Sequence, residues 1–236
     1  MSGRGQGMEV LLLNHTRDAD RTVAVAARLC YSKHAVKELR EELTRERIER
    51  LIAGILRSGH HSVLEHASFT FGIEGISRVT THQLVRHRLA SYSQQSQRYT
   101  RMDRQSAFIV PESIREDPEM DARFTELSKK ALALYLDMLE SGIPAEDARY
   151  ILPNAANTRI IVTMNARELL HFFRLRTCLR AQWEIRGMAA EMLRLARPAA
   201  PVIFRKAGPA CISGPCPEGD FYCGKLKEVR AFYRNL

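Results

Sequence analysis

The sequence predicts an α/β fold, one domain of interspersed strands and helices with a short C-terminal appendage. Two observations predict it. Segments of strand patterning, VLLLN, HASFTFGIEG and RIIVTMN, are separated by stretches in which apolar residues recur at helical spacing. A chain of 236 residues, 45% hydrophobic and 27% charged, can bury one substantial core. No apolar run approaches the ~20 residues of a membrane span, and the opening MSGRGQGM lacks the apolar stretch of a signal peptide. A soluble, cytoplasmic protein with no membrane partner is the expectation.

Residues 1–8 are expected to be disordered. VLLLN then forms the first strand, and DRTVAVAARLCYS has the small and apolar spacing of a closely packed helix. A polar helix over 38–57 ends at Gly59. HASFTFGIEG alternates and carries aromatic and β-branched residues, so it is a strand, and Ser77 caps a short helix reaching about Arg86. The run 86–99, RHRLASYSQQSQRY, has only Leu89 and Ala90 as clearly apolar residues and reads as a polar loop launched from that helix. FIVP at 108–111 is a short strand, 121–141 a helix closed by Gly142, and Pro144 starts another short helix. RIIVTMN is a strand that runs straight into a helix at Asn165, where Asn165 and Glu168 have the spacing of a capping box. From Gly208 the tail, rich in Gly, Pro and Cys, reads as a loop.

The net charge of +9 comes mostly from arginine, the side chain suited to forked contact with phosphate or carboxylate. An anionic ligand is implied; the charge alone does not separate a nucleotide from a nucleic acid, and basic runs such as RGMAAEMLRLARP are also ordinary solvated helix faces. Five cysteines in a chain of this size point to reduced thiols rather than a disulfide framework. Cys211, Cys216 and Cys223 in the tail lack Cys-x-x-Cys spacing, which favours free thiols over a metal or a disulfide.

Several catalytic signatures are missing. GHHSVLEH at 59–66 fits neither metalloprotease order, since His61 and Glu65 are four apart with His66 adjacent, and no metal is expected. GRGQG follows no strand, no Walker lysine motif occurs, no serine sits in a Gly-x-Ser-x-Gly elbow, and no cysteine is placed as a nucleophile. Arg, His, Gln, Asn and Ser gather instead in three separated clusters, a set for holding polar anions beside a cofactor that carries the chemistry. In NARELLHFFRLRTCLRAQWE, about 100° per residue puts Arg167, His171 and Arg174 on one face, and Leu169, Phe172 and Phe173 on the core-facing side. Arg176 and Arg180 fall on that apolar side, where a guanidinium needs an anionic or strongly accepting partner; a buried ion pair or a bend before Arg176 would also satisfy it.

These blocks resemble a known family. Arg86-His87-Arg88, seven residues, then Ser96, with Arg98-Tyr99 following, resembles the R-H-R-x7-S signature of the flavin-dependent thymidylate synthases. GHHSVLEH followed by FTF, THQLVRHR, ARYILP, NARELLHFF and RLR...AQWEIR are similar to the family's successive blocks in the same order, over roughly residues 9–204. The resemblance implies an α+β single domain over 9–207, with a mixed, mainly antiparallel sheet flanked by helices, assembled as a homotetramer, and a tail at 208–236 outside the shared blocks. It also implies reductive methylation of dUMP to dTMP, with 5,10-methylenetetrahydrofolate as carbon donor and NADPH-reduced FAD as hydride carrier, without a protein nucleophile.

Residue by residue, the resemblance implies that Arg176 polarises the uracil ring. Ser62, Glu65, Arg86, His87, Arg88, Gln94, Asn165, Ala166, Arg167 and His171 are implied to meet FAD, and His60 to stand on the folate side. Gln83, Leu84, Val85, Arg86, Gln94, Gln95, Ser96, Gln97, Arg98, Arg149 and Arg176 are implied to surround dUMP. Gln94, Ser93, Arg180 and Cys30 depart from residues common in the family. The competing class is a basic nucleic-acid-binding protein stacking bases on Tyr92 or Tyr99; a flavin's yellow colour separates the two.

Overall fold

The structure is a computed structural model that describes residues 7–103 and 108–236. The disorder expected of the first residues falls largely on 1–6, outside the described residues. Its strands are β1 (Glu9–His15), β2 (Ser68–Ser77), β3 (Ala90–Gln94) and β4 (Asn157–Asn165), hydrogen-bonded in the order β1-β2-β4-β3. The sheet is antiparallel rather than mixed, with helices flanking it. In β4 the period of two is plain: Thr158, Ile160, Val162 and Met164 are buried, while Arg159 and Ile161 are exposed.

The helices are α1 (Ala19–Leu29), α2 (Val36–Glu42), α3 (Arg45–Ser58), α4 (Arg78–Leu84), α5 (Glu112–Arg115), α6 (Pro118–Glu140), α7 (Ala145–Ala148), α8 (Ala166–Arg176), α9 (Trp183–Ala199) and α10 (Leu226–Asn235). Several starts follow local chemistry. Ser77 and Asn165 accept hydrogen bonds from the backbone N–H of Thr80 and Glu168, capping α4 and α8 as expected. Asp117 caps α6 with Pro118 in its first turn, three residues earlier than expected. Gly59 ends α3 at φ 76°, a conformation that costs a residue with a Cβ.

The chain divides into two compact units. One holds Val10–Gly72, His87–Tyr92 and Val162–Leu236. Its core includes Val23 and Ala24 of α1, Ile52 of α3, Phe69 and Phe71 of β2, Phe172 and Phe173 of α8, and Met188 of α9, all fully buried. Phe204 meets Phe69 and Phe173 edge-on at 5.2 and 5.9 Å between centroids. The buried Asp20 carboxylate accepts from the backbone N–H of Val202 and Ile203 at 2.9 and 3.1 Å, tying α1 to the segment after α9. The other unit holds Ile73–Arg86 and Ser93–Ile161 with the start of the chain. Its core gathers Leu132 and Tyr135 of α6 with Ala148 of α7, flanked by Met102, Phe108 and Leu152.

Four local expectations are corrected. The polar helix of 38–57 is two helices, because Thr44 turns extended and its hydroxyl accepts from the N–H of Arg47. The polar run 86–99 is not all loop: ASYSQ forms β3 at the sheet edge, beside β4, where polar side chains are tolerated. FIVP supplies only an isolated bridge from Phe108 to Ala156. The tail contains α10, whose buried Val229 and Tyr233 anchor it, and Arg197 of α9 donates to the carbonyls of Ala207 and Tyr233.

Candidate active site

The chain-distant contacts of His87 organise the first cluster. His87 directly follows the turn after α4 and its side chain is buried, although Arg86 and Arg88 on either side are exposed. Its ring packs edge-on against Phe172 at 4.9 Å and against His171 at 5.8 Å. Tyr92 donates its hydroxyl proton to the His87 carbonyl at 2.7 Å. Arg176 donates from Nε to Nε2 of His87 at 3.0 Å, and Nδ1 of His87 lies 3.2 Å from Oε1 of the buried Glu168. Both ring nitrogens are therefore engaged inside the protein.

Burial, then the charges of Arg176 and His171, lower the His87 pKa to about 4. Burial raises that of Glu168, against the pull of His171 and Arg167, and lowers that of Arg176. The imidazole is thus neutral near pH 7. Among the described residues Arg176 has no acidic partner, so a buried ion pair does not account for it, and α8 continues without a break to Arg176 and ends at the cap residue Thr177. Arg180, expected on the apolar side of this helix, lies beyond its end and is exposed, its guanidinium 4.7 Å from the Phe221 ring centroid.

Arg176 also lines a cavity of about 390 Å³ with His171, Arg174, Arg180 and, from the tail, Pro217 and Glu218. Nearby in the same unit, Arg167 donates to Glu65 at 2.6 Å, with both side chains about half exposed. Ser62 and Glu65 lie on one short 3-10 turn, His61–His66, and His60 precedes it, exposed. Asn165 and Ala166 are the first residues of the α8 start, and Ala166 donates its N–H to the Ala67 carbonyl at 2.8 Å. Among the described residues no group of three His, Cys, Asp or Glu is placed to hold a metal ion.

The second cluster belongs to the other unit. Gln94 donates from its amide to the hydroxyls of Thr81 and Thr158 at 3.1 and 3.4 Å. The Ser96 hydroxyl accepts from the N–H of Arg98. Arg98 pairs with Glu146 at 2.7 Å, and Arg149 donates to the Glu146 carbonyl at 3.0 Å, so both arginines converge on the start of α7. Gln83 is half-buried, Leu84 buried, and Val85 and Arg86 exposed at the end of α4; Gln95 and Gln97 are half-buried beside Ser96.

Two participants are not marked in the sequence. Glu168 has the position of a capping-box residue, but its carboxylate goes to His87 rather than back to the helix start. Arg78 donates to the Gln95 carbonyl at 3.1 Å, its pKa is lowered by burial and then by Arg149, and its buried Nε has no partner among the described residues. An arginine just inside a helix start carries no distinguishing pattern.

The donor set fits an anionic, carbonyl-bearing group. Among the described residues the side chains of Arg86, Arg88 and Arg174, and the terminal amino groups of Arg176, have no hydrogen-bond or ion-pair partner. A guanidinium without a carboxylate partner, as on Arg88, Arg174 and Arg176 in one unit and on Arg86 in the other, suits phosphate oxygens and ring carbonyls. Of the departures, Gln94 is held by two threonine hydroxyls, Ser93 is exposed, and the exposed Cys30 thiol turns back to the Ala26 carbonyl at 3.6 Å. In the tail, burial and the neighbouring thiols Cys216, Cys178 and Cys223 raise the pKa of Cys211, and all five cysteines are free.

Comparison with known proteins joins these observations. Residues 11–202 match the family described as thymidylate synthase complementing protein. A flavin-dependent thymidylate synthase of Geobacter sulfurreducens is 54% identical over 97% of this chain and 99% of that protein. Those of Clostridium tetani and Pyrococcus furiosus are 45% and 47% identical, covering 99% and 97% of this chain and 100% and 98% of theirs. Among solved structures, a UMP/dUMP methylase from Streptomyces cacaoi bound with 5-Br dUMP superposes with a TM-score of 0.76 at 28% identity, over 84% of this chain and 94% of that one. With its family match spanning most of the sequence and near-full-length relatives at this identity, the chain belongs to the flavin-dependent thymidylate synthases.

Proposed function

We propose that this protein methylates dUMP to dTMP reductively, taking its carbon from 5,10-methylenetetrahydrofolate and its hydride from FAD reduced by NADPH. The observation that carries the reading is Arg176: a half-buried cation anchored at Nε by a neutral histidine, with both terminal amino groups unpaired among the described residues. Such a fork, aimed at the uracil N3 and O2, stabilises negative charge there and makes C5 a carbon nucleophile. A preorganised donor to a developing anion is commonly worth ~3–4 kcal/mol. No protein nucleophile is needed, and FAD held by the residues named below would supply the hydride.

The remaining residues bind and orient. Arg98 and Arg149 take the 5′-phosphate, and Gln83, Leu84, Val85, Gln94, Gln95, Ser96 and Gln97 surround base and sugar. Arg86 and Arg88 offer free guanidinium donors to FAD, with Asn165, Ala166, Arg167, His171, Ser62, Glu65 and Gln94 around it, and His87 in the same segment. His60 stands on the folate side. We also propose a homotetramer with active sites at subunit junctions, as the family resemblance implies, acting in the cytoplasm; among the described residues no helix is long and apolar enough to cross a membrane.

Purified protein is expected to be yellow and to release tritium from dUMP labelled at C5 when folate and NADPH are supplied. Colourless protein that binds RNA instead would favour the nucleic-acid reading.

A further inference from the structure

We propose that His87 and Glu168 form a positioning chain that fixes the guanidinium of Arg176, His87 accepting from its Nε–H and Glu168 fixing the imidazole tautomer. The role assigned to Arg176 rests on the proposed function, but the chain itself is a matter of hydrogen bonding. An arginine Nε always donates, so the nitrogen that meets it, Nε2 of His87, must present a lone pair. The ring's one proton then sits on Nδ1, facing the Glu168 carboxylate oxygen at 3.2 Å. The opposite tautomer would set two N–H groups against each other at the 3.0 Å contact and leave Glu168 facing a lone pair.

Three features make the chain rigid. Both of its inner members are almost fully buried, with side chains 4% and 8% exposed. The His87 ring is wedged edge-on against Phe172, and its backbone carbonyl is held by Tyr92. Glu168 is fixed at the first turn of α8 by the Asn165 cap, so one helix carries both the far anchor of the chain and, two turns on, the arginine it positions. Holding Nε leaves the two terminal amino groups as a planar fork with its orientation preset, which lowers the entropy cost of meeting a ring nitrogen and a carbonyl together. A neutral acceptor does this without cancelling the guanidinium charge, as a carboxylate in its place would. The histidine between two arginines in the 86–88 segment therefore serves the inside of the protein, while its neighbours face out.

The test compares His87→Gln, whose amide carbonyl still accepts from Arg176, with His87→Leu, which fills the space without accepting. Glu168→Gln and Glu168→Leu make the same comparison at the second link. Each variant is measured for flavin content, melting temperature, kcat and KM for dUMP, and the place of Arg176 in a crystal structure. The glutamine variants are expected to keep kcat within about threefold. The leucine variants are expected to lose about tenfold or more in kcat relative to the glutamine variants, with KM for dUMP near wild type and with the guanidinium displaced. Equal kcat in the glutamine and leucine variants, or an undisplaced Arg176 in His87→Leu, overturns the proposal. If a leucine variant fails to fold, the other leucine variant and the two glutamine variants decide. Should the wild-type protein form no dTMP at all, the functional reading fails by itself, and the position of Arg176 across the four variants still judges the chain.

Discussion

Arg176 and Arg98 are the same residue type in opposite settings. Arg176 is half-buried, held by a neutral ring at Nε, and has no carboxylate partner among the described residues. Arg98 is exposed and lies 2.7 Å from the Glu146 carboxylate, with its charge already offset. The first is set before a ligand arrives; the second must exchange a carboxylate for whatever anion it binds. A preorganised charge suits a chemical step, and an exchangeable one suits binding.

Removing the preorganised charge carries the largest expected effect. Arg176→Ala is expected to keep FAD and its reduction by NADPH, and to lose about a hundredfold or more in dTMP formation. Arg176→Lys recovers little of it, because an ammonium lacks the planar fork. Normal flavin reduction followed by tritium release from labelled dUMP reads both.

The neutral imidazole predicts a pH dependence. His87 titrates at about 4 in the folded chain against an ordinary 6.5, so the unfolded chain binds the extra proton between those values. Stability present above pH 6.5 is therefore lost as pH falls toward 4, by at most about 3 kcal/mol from this group. Glu168 and Asp20, both shifted upward by burial, act in the opposite direction. The difference between wild type and His87→Leu isolates the histidine: the variant's melting temperature is expected to fall less between pH 6.5 and 4.5.

The exchangeable arginine predicts smaller effects on binding. Arg98→Ala is expected to raise KM for dUMP about tenfold and leave kcat nearly unchanged, the scale of one charge-assisted hydrogen bond. Glu146→Gln is expected to lower that KM about twofold, since an exposed ion pair is worth under about 1 kcal/mol and its loss frees Arg98 for phosphate. Steady-state kinetics at varied dUMP check both.

Much of the fold was legible because periodicity reports burial directly: β2, β4, α1, α6 and α8 stand where alternating or helical apolar spacing puts them. β3 was not, because an edge strand can carry Ser91, Tyr92 and Ser93 without a hydrophobic pattern. The break between α2 and α3 was hidden by charged residues on both sides of Thr44, and α10 by the Gly, Pro and Cys around it. At the site, Arg176 stood out as a cation on an apolar helix face. Its partner did not, since His87 lies 89 residues away between two arginines and resembles an outward cation. Glu168 was disguised by a position that capping alone explains.

In the proposed mechanism Arg176 acts in the chemical step and not only in holding dUMP. The direct measurement is the single-turnover rate of dTMP formation by Arg176→Ala enzyme with its flavin reduced beforehand, followed as dUMP is raised to saturation. A rate that stays about a hundredfold below wild type at saturation is the predicted result. Recovery to near the wild-type rate at high dUMP would contradict the account and make Arg176 a binding residue of the same kind as Arg98.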